Sequence, residues 1–337
     1  MLNPFLYTVI LDRDRTINED PGYLNDPDKV VLMPHAAEGI HLLNDFGLRI
    51  FVASNQSGIA RGLITNAQLA AVNMRISALL AKEGAHLENF YICPHTDDDN
   101  CVCRKPKPGL IQKIWKENTF DAMRTFLVGD RARDLLCGQA LGMRGILVGD
   151  DELDEPENCV FRAAHLGEAA AFILETIFEE ATRQKIFTDA KDFLAYFENG
   201  RKNYHKIVFT NGCFDLLHSG HVQLLSQARA LGDYLILGLN SDRSVRVLKG
   251  DTRPLNKAID RARVLAQLYS VDAVVIFDED TPIELLQKIR PDIQVKGGDY
   301  IKEDLPEYPI MQKMGKKIVI LPFRKGYSTT SLIQKMQ

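Results

Sequence analysis

The amino-acid sequence predicts an α/β protein built from two doubly wound parallel sheets. Three observations support this fold class. The chain has 337 residues, a length typical of two domains. Short β-branched runs alternate with amphipathic stretches from residue 6 to residue 150, and the same alternation returns after residue 205. Such alternation is typical of parallel sheets that helices cover on both faces, and these sheets bind ligands at the carboxyl ends of their strands.

The predicted strands follow one another regularly along the chain. Those of the first half are LYTVIL, LRIFVA, ENFYI, TFLVG and RGILVG, with NCVF as a further strand. Those of the second half are HKIVFT, DYLILGL, DAVVIF, DIQVK and KIVIL. Helical patterns such as NAQLAAVNMRISALLAKEG separate them. We therefore place the first domain over residues 1–180, a helical connector over 181–204 and the second domain over 205–337.

Composition and charge exclude several classes of protein. Hydrophobic residues make up 45% and charged residues 26% of the chain, which excludes a disordered tail, a collagen-like fibre and a disulfide-stapled miniprotein. The formal net charge of −4 offers no basic surface for nucleic acid. No segment approaches the roughly 18–20 apolar residues of a membrane helix, and the first twelve residues lack the features of an export signal. We expect a cytoplasmic protein with small-molecule ligands; the sequence is compatible with a homo-oligomer but does not indicate one.

The first predicted strand ends in two aspartates, Asp12 and Asp14. Side chains two residues apart on an extended backbone point the same way, so both carboxylates can face one cavity. One can attack phosphorus while the other protonates the leaving alcohol, and Mg²⁺ suits such a group of oxygens. Three later segments add a hydroxyl and amides at Ser54–Gly58, a cation in the segment Arg104–Lys105, and a further carboxylate to hold the metal in the sequence GDRARD.

Together these segments resemble the haloacid-dehalogenase-type phosphatases. The longer strings DRDRTIN, SNQSGIARG, C-x-CRKPKPG and VGDRARD are similar to the heptose 1,7-bisphosphate phosphatases of bacterial lipopolysaccharide biosynthesis. The resemblance implies a Rossmann-like fold, with Asp12 as nucleophile and Asp14 as general acid and then base. It implies that Mg²⁺ is held by Asp12, Asp130 and the main chain of Asp14. It further implies phosphoryl or sugar contacts from Ser54, Lys105, Asn55, Gln56, Arg104 and Arg131.

One position departs from this family. Arg15 follows the second aspartate, where the family usually has glycine. Glycine permits backbone conformations that arginine disfavours and leaves space beside the site. Three outcomes are open: Arg15 projects into solvent, binds an anionic substrate, or partly obstructs the cavity.

Four potential metal ligands lie close together in the sequence, at Cys93, His95, Cys101 and Cys103. One imidazole and three thiolates form a closed set that leaves no position for substrate, as a structural zinc site requires. The same CPH…C-x-C arrangement occurs in the heptose bisphosphatases and the related histidinol-phosphate phosphatases. The alternative is a group of buried or oxidised cysteines. Because Cys103 directly precedes Arg104, we expect the zinc loop to position residues that contact substrate.

The second half opens with a strand that runs into NGCFDLLHSGH and then a helix. His218 and His221 lie three apart at the helix start, near the positive end of its dipole. Both can donate hydrogen bonds to the α-phosphate of a nucleotide as charge develops there. Placed after G-x-F-D, this H-x-G-H motif resembles the nucleotidyltransferase superfamily.

Further strings narrow this second resemblance. LGLNSDRSVRVLKGDTRPLN, IFDEDTP, VKGGDY and GYSTTSLI are similar to heptose 1-phosphate adenylyltransferase domains. The resemblance implies ATP as substrate, and for each outer residue a surface charge or helix cap is the alternative. The implied nucleotide-binding residues are Gly212, Phe214, His218, His221, Asn240, Asp242, Lys249, Arg253, Lys296, Gly297, Gly298, Asp299, Ser328, Thr329 and Thr330.

The two resemblances imply successive reactions. Removal of the 7-phosphate from heptose 1,7-bisphosphate gives heptose 1-phosphate, and adenylyl transfer from ATP then gives ADP-heptose and pyrophosphate. We expect Mg²⁺ and structural Zn²⁺ as cofactors. One alternative is another sugar- or histidinol-phosphate phosphatase fused to a different nucleotidyltransferase. The other is a zinc-stabilised binding module, made inactive by Arg15, on an active adenylyltransferase.

Overall fold

The computed structural model describes residues 7–150, 152 and 154–322. The chain divides into two compact units, Met1–Phe178 and Glu179–Gln337. Within the described residues, each unit contains a six-stranded sheet whose strand pairs are all parallel. Two α/β units with parallel sheets confirm the predicted fold class. Among the described residues, no helix is both long enough and apolar enough to cross a membrane.

The first unit alternates strands and helices as its sequence predicts. Its sheet has the order β3-β2-β1-β4-β5-β6, so β1 lies inside the sheet beside β2 and β4. The elements are β1 (Thr8–Leu11), α1 (Ala36–Asp45), β2 (Arg49–Asn55), α2 (Asn66–Lys82), β3 (Asn89–Cys93), α3 (Gly109–Glu117), β4 (Thr125–Gly129), α4 (Ala132–Gln139), β5 (Arg144–Val148), β6 (Cys159–Ala163) and α5 (Leu166–Gln184).

The central strand of this unit is buried on both faces. Val9 and Leu11 belong to one apolar cluster, whereas Ile10 belongs to a cluster on the other side. Alternate side chains of a strand point to opposite faces, so a strand covered on both sides needs a continuous apolar run. The run TVIL meets this requirement, and all four of its residues are buried.

The second unit repeats the architecture with a different strand order, β12-β11-β8-β9-β10-β7. Its elements are β7 (Ile186–Phe187), α6 (Ala190–Gly200), β8 (Ile207–Gly212), α7 (Ser219–Arg229), β9 (Tyr234–Asn240), α8 (Asp242–Lys249), α9 (Ala258–Ala266), β10 (Ala273–Phe277), α10 (Ile283–Ile289), β11 (Ile293–Gly297), α11 (Tyr308–Lys313) and β12 (Lys317–Leu321). All seven residues of β9 are buried, as expected for an inner strand of a covered sheet.

Residues 181–204, predicted as a helical connector, contain elements that pack within the second unit. Strand β7 pairs in parallel with β10, which places Ile186 opposite Val274. Helix α6 buries Phe193 and Phe197 in the same apolar cluster as β8 and β10 residues. The helical character of the segment agrees with its sequence, but strand β7 is too short for its periodicity to be recognised.

The buried face of α6 leads to a prediction about stability. We expect Phe193→Ala to lower the free energy of unfolding of the second unit by about 3–5 kcal/mol, since it removes a fully buried ring. Exposed Lys191 lies on the same helix, and Lys191→Ala should change stability by less than about 0.5 kcal/mol. Urea unfolding followed by circular dichroism measures both. Equal stability of the two variants would contradict the packing role of α6.

Candidate active sites and metal centre

The first candidate site lies where β1 and β4 end. Asp12 follows β1, and its backbone N–H donates to the Val128 carbonyl at 2.8 Å. Asp130 follows β4, and Asp134 lies in the first turn of α4. Carboxylate oxygens of these three aspartates all lie within 4.8 Å of one another. The strand order therefore brings the carboxylates together as a set able to hold one hard cation.

Lys105 is the buried cation of this site. Its Nζ lies 2.6 Å from Asp12 Oδ1 and 2.6 Å from Asp134 Oδ1, and it donates to the Ala53 carbonyl at 2.6 Å. Burial raises the pKa of Asp12 above its ordinary value, an effect that the Lys105 ammonium opposes and the Asp134 carboxylate strengthens. A divalent cation among the carboxylates would favour their ionised forms.

Asp14 is held by its own network of hydrogen bonds. Its carboxylate accepts from Arg13 Nη2 at 2.8 Å, from Asn18 Nδ2 at 3.1 Å and from Gln56 Nε2 at 2.6 Å. Gln56 also donates to Ser54 Oγ at 2.9 Å, and Ser54 is buried. Asp14, Ser54 and Gln56 therefore lie together in one hydrogen-bonded group, and their contacts with substrate stay predictions. Arg13 was not anticipated, although it is only 1% exposed.

Two further residues predicted for this site, Asn55 and Arg104, lie in the segments around the carboxylates. Asn55 and Lys105 exchange two hydrogen bonds through the Asn55 amide and the Lys105 backbone, at 3.0 and 3.1 Å. Arg104 pairs with Asp97 at 2.6 Å and donates to the His95 carbonyl at 3.1 Å. Asn55 thus fixes the backbone of the catalytic lysine candidate, and Arg104 ties that loop to the cysteine cluster.

Asp134 is a site residue that the sequence analysis left without a role. It is 5% exposed, and its Oδ2 accepts from the Arg131 backbone N–H at 3.1 Å, so it caps the start of α4. Gly129 is required beside it, because a Cβ there would lie 2.5 Å from the Asp134 Cβ. The sequence contained one indication of this role: GDRARD ends in a second aspartate, four residues after Asp130 and within the first turn of α4.

Arg15 occupies the left-handed region of backbone conformation, with φ of 61°. Its Nε lies 3.4 Å from Asp130 Oδ2, and its side chain is 39% exposed. Arg15 borders a cavity of about 160 Å³ that Asp12, Asp14, Lys105 and Asp130 also line. Arg15 therefore borders the carboxylate cluster, while part of its side chain is exposed.

The four metal-ligand candidates of the first unit also converge. Cys103 Sγ lies 3.2 Å from Cys93 Sγ, 3.5 Å from Cys101 Sγ and 3.3 Å from His95 Nδ1. Cys93 Sγ lies 3.7 Å from Cys101 Sγ and 3.6 Å from His95 Nδ1. Four tetrahedral ligands at about 2.0–2.3 Å from a zinc ion would be roughly 3.3–3.8 Å apart. The donor set and its spacing fit zinc.

The second candidate site lies at the carboxyl end of β8 and the start of α7. The rings of His218 and His221 stack with centroids 3.8 Å apart, and both Nδ1 atoms are buried without a hydrogen-bond partner among the described residues. Phe214 adopts φ of 44° and places its ring 5.0 Å from that of His221. A Cβ at Gly212 would approach the Phe214 ring to 3.0 Å, so a larger residue there would crowd this ring.

Burial keeps this histidine pair neutral. It lowers the pKa of His218 below its ordinary value, and it lowers the pKa of His221 to about 4, with help from His218 and the positive charge of Lys249. A neutral imidazole still has one N–H to donate, so each ring can hydrogen-bond a phosphate oxygen. The effect of Lys249 on His221 shows that its charge lies near the histidine pair, and its role in nucleotide binding stays a prediction.

The next strand of the second unit contributes Asn240 and Asp242. Buried Asn240 donates to Ser244 Oγ at 2.9 Å. Asp242 pairs with Arg261 at 2.7 Å, and Arg261 also donates to the carbonyls of Cys213 and Asn256. Arg261 is 2% exposed and was not anticipated. It joins the loop before His218 to the start of α8, a connection between distant sequence positions that no local pattern reveals.

Two predicted nucleotide contacts are engaged in ion pairs. Arg253 Nε lies 2.5 Å from buried Asp215, and Lys296 Nζ lies 2.8 Å from buried Glu307. Both pairs neutralise carboxylates inside the unit, so in this structure the two cations hold loops in place. Gly297 ends β11, Gly298 donates to the Leu321 carbonyl at 2.9 Å, and Asp299 is exposed. Ser328, Thr329 and Thr330 lie outside the described residues.

Comparisons with known families divide the chain in the same way as its two sheets. Residues 102–172 match the HAD-hydrolase-like family, and residues 209–335 match the cytidylyltransferase-like family. The chain therefore contains a haloacid-dehalogenase-like domain and a nucleotidyltransferase-like domain.

Individual relatives were found among both curated proteins and solved structures. The chain is 55% identical over 135 residues to the bifunctional protein HldE of Koribacter versatilis (strain Ellin345), a match covering 40% of this chain and 28% of that protein. It is 53% identical over 135 residues to HldE of Helicobacter pylori (strain G27), with the same coverage. The chain thus spans under a third of the length of these relatives. A solved D,D-heptose 1,7-bisphosphate phosphatase from B. bronchiseptica, complexed with magnesium and phosphate, is 31% identical; the match covers 50% of this chain and 99% of that one, with a TM-score of 0.46.

The buried histidine pair leads to a prediction about protonation. A pKa near 4 for His221 means that its ring stays neutral at pH 7 and gains a proton only as the pH falls through about 4. A pH titration by NMR of the histidine-labelled protein should show this low midpoint, with the signal assigned by its absence in His221→Ala. The ordinary midpoint of a histidine side chain is near 6.5. A His221 midpoint at or above 6.5 would contradict the burial of the pair.

Proposed function

We propose that this chain, which joins a haloacid-dehalogenase-like domain to a nucleotidyltransferase-like domain, is a bifunctional enzyme of ADP-heptose synthesis. The first domain removes the 7-phosphate of heptose 1,7-bisphosphate, and the second transfers an adenylyl group from ATP to heptose 1-phosphate. The observation that carries the proposal is the presence in one chain of two separate sites for phosphate chemistry, each bearing the motif strings of one of two successive enzymes.

Hydrolysis in the first site begins with the carboxylate of Asp12. This carboxylate attacks the 7-phosphorus and forms an aspartyl phosphate, while Asp14 gives a proton to the departing sugar oxygen. Asp14 then takes a proton from the water that releases phosphate. Lys105 lies 2.6 Å from the nucleophile and stabilises the negative charge of the transferring group.

Magnesium fits the carboxylates of this site. Asp12, Asp130 and Asp134 offer hard oxygen ligands whose atoms lie within 4.8 Å of one another. We assign the ion to Asp12, Asp130 and the main chain of Asp14, and Asp134 orients Lys105 through their 2.6 Å ion pair. When bound, the ion neutralises charge that develops on the phosphoryl oxygens.

Adenylyl transfer takes place beside the histidine pair. The 1-phosphate of the sugar attacks the α-phosphorus of ATP, and pyrophosphate leaves. His218 and His221 stand at the start of α7, where their N–H groups and the helix dipole stabilise charge on the α-phosphate. Lys249 adds positive charge beside them.

The cysteine cluster holds a structural zinc ion in this proposal. Three thiolates and one imidazole would supply all four ligands of a structural zinc ion and leave no position for substrate. Arg104 directly follows Cys103 and donates to the carbonyl of His95. The zinc loop therefore fixes the segment that carries Arg104 and Lys105 into the phosphatase site.

A crossed pair of variants tests the two active sites separately. Asp12→Asn should lower phosphate release from heptose 1,7-bisphosphate by at least ~10³-fold, because an amide cannot serve as the anionic nucleophile. The same variant should form ADP-heptose from heptose 1-phosphate and ATP at nearly the normal rate. Phosphate release and product formation are measured with purified substrates. Near-normal phosphate release by Asp12→Asn would refute the nucleophile assignment.

His221→Ala provides the reciprocal control. It should slow ADP-heptose formation by roughly two to three orders of magnitude, the scale for losing one preorganised donor, and leave phosphate release unchanged. Because the two variants are opposite in effect, a general folding defect cannot imitate the pattern. Full adenylyltransferase activity in His221→Ala would show that this histidine has only a structural role.

Metal content tests the zinc assignment. The purified protein should contain about one zinc ion per chain, and the double variant Cys101→Ser with Cys103→Ser should lose it because two thiolate ligands are removed. Cys159→Ser is the matched control, since Cys159 lies outside the cluster and should not affect zinc content. Elemental analysis measures all three proteins. Zinc retained in the double variant would exclude this site.

A further inference from the structure

Arg15 stands at a backbone position that suits glycine. Its φ of 61° lies in the left-handed region, which side chains with a Cβ disfavour. The conformation is held by a hydrogen bond from the Arg15 N–H to the Asn18 carbonyl at 2.6 Å. Glycine would adopt this backbone without strain, so the arginine side chain calls for an explanation in terms of what it contacts.

The guanidinium of Arg15 shares a carboxylate with a second arginine. Arg15 Nε and Arg131 Nε each lie 3.4 Å from the same oxygen, Asp130 Oδ2. Arg15 comes from the loop after β1 and Arg131 from the loop after β4, so the two cations approach the site from different segments. Arg133 lines the same cavity of about 160 Å³. Three guanidinium groups therefore border the entrance to the carboxylate cluster.

The basic side chains of the cavity differ in which carboxylates they contact. Lys105 lies deep in the site, bound to Asp12 and Asp134, where the proposed phosphoryl transfer takes place. Arg15 and Arg131 each form an ion pair with Asp130, a carboxylate that does not contact Lys105 in the ion pairs given above. A guanidinium carries five N–H donors, so it can bind a phosphate while it also pairs with a carboxylate.

We propose that Arg15 is a specificity-determining residue that binds the second, non-reacting phosphate of a bisphosphorylated substrate. The inference rests on the proposed phosphatase function and adds a residue that its family pattern, with glycine here, does not supply. A guanidinium matches the geometry of a phosphate with two parallel hydrogen bonds, whereas glycine offers none. The arginine thus makes the site selective for sugars that carry two phosphates over sugars that carry one.

The test compares two substrates with the same reacting group. Heptose 1,7-bisphosphate and heptose 7-phosphate share the 7-phosphate, and only the first has a second phosphate. The ratio of their kcat/KM values should fall roughly ten- to hundredfold in Arg15→Gly, mainly through a higher KM for the bisphosphate, since one charge-assisted contact is lost. Arg15→Lys should recover part of the ratio, because it keeps the charge without the two-pronged geometry.

The Arg15→Gly variant also separates an effect on stability from an effect on substrate selectivity. Glycine is suited to φ of 61°, so Arg15→Gly should melt at no lower temperature than the normal protein. An unchanged ratio in Arg15→Gly would overturn the proposal. So would an equal loss for both substrates, which would mean that Arg15 acts by positioning Asp130, or an equal gain, which would mean that it obstructs the cavity. If the normal protein hydrolyses neither substrate, the proposed phosphatase function fails as well.

Discussion

Parallel strands place all of their carboxyl ends at one edge of a sheet, and both candidate sites depend on this constraint. In the first unit it brings Asp12 and Asp130 together from the ends of two neighbouring strands. In the second it places His218 and His221 just after β8, beside Asn240 at the end of β9. The two units differ in strand order and in chemistry, but each one assembles its polar residues at this edge.

Placing several charged side chains at one sheet edge removes them from water, and this desolvation is unfavourable. Ion pairs inside each unit offset it. Lys105 forms ion pairs with two carboxylates, those of Asp12 and Asp134, and its backbone is fixed in turn by Asn55. Arg261 plays the equivalent role in the second unit, where it joins Asp242 to two backbone carbonyls. Loss of one partner from such a pair leaves a buried charge uncompensated, at about 3–5 kcal/mol. The positions of the reactive groups are therefore coupled to the stability of each unit.

Much of this arrangement could be predicted from the sequence because it is encoded locally. Strand-length apolar runs indicate the sheets, and the motifs after them contain Asp12, the cysteine cluster and the histidine pair. The rest depends on contacts between distant positions. Arg13, Asp134 and Arg261 become site residues only when folding brings their partners close, and the pairing of Arg253 with Asp215 joins positions 38 residues apart. The two-residue strand β7 depends on β10, from which it is separated by most of the unit.

The central claim is that one chain carries two successive steps, and a coupled reaction tests it most directly. The purified protein is supplied with heptose 1,7-bisphosphate, ATP and Mg²⁺, and the products are followed by chromatography and mass spectrometry. The account predicts ADP-heptose, with one phosphate and one pyrophosphate released for each molecule formed. Phosphate release without any ADP-heptose, or ADP-heptose formed from added heptose 1-phosphate but never from the bisphosphate, would contradict it.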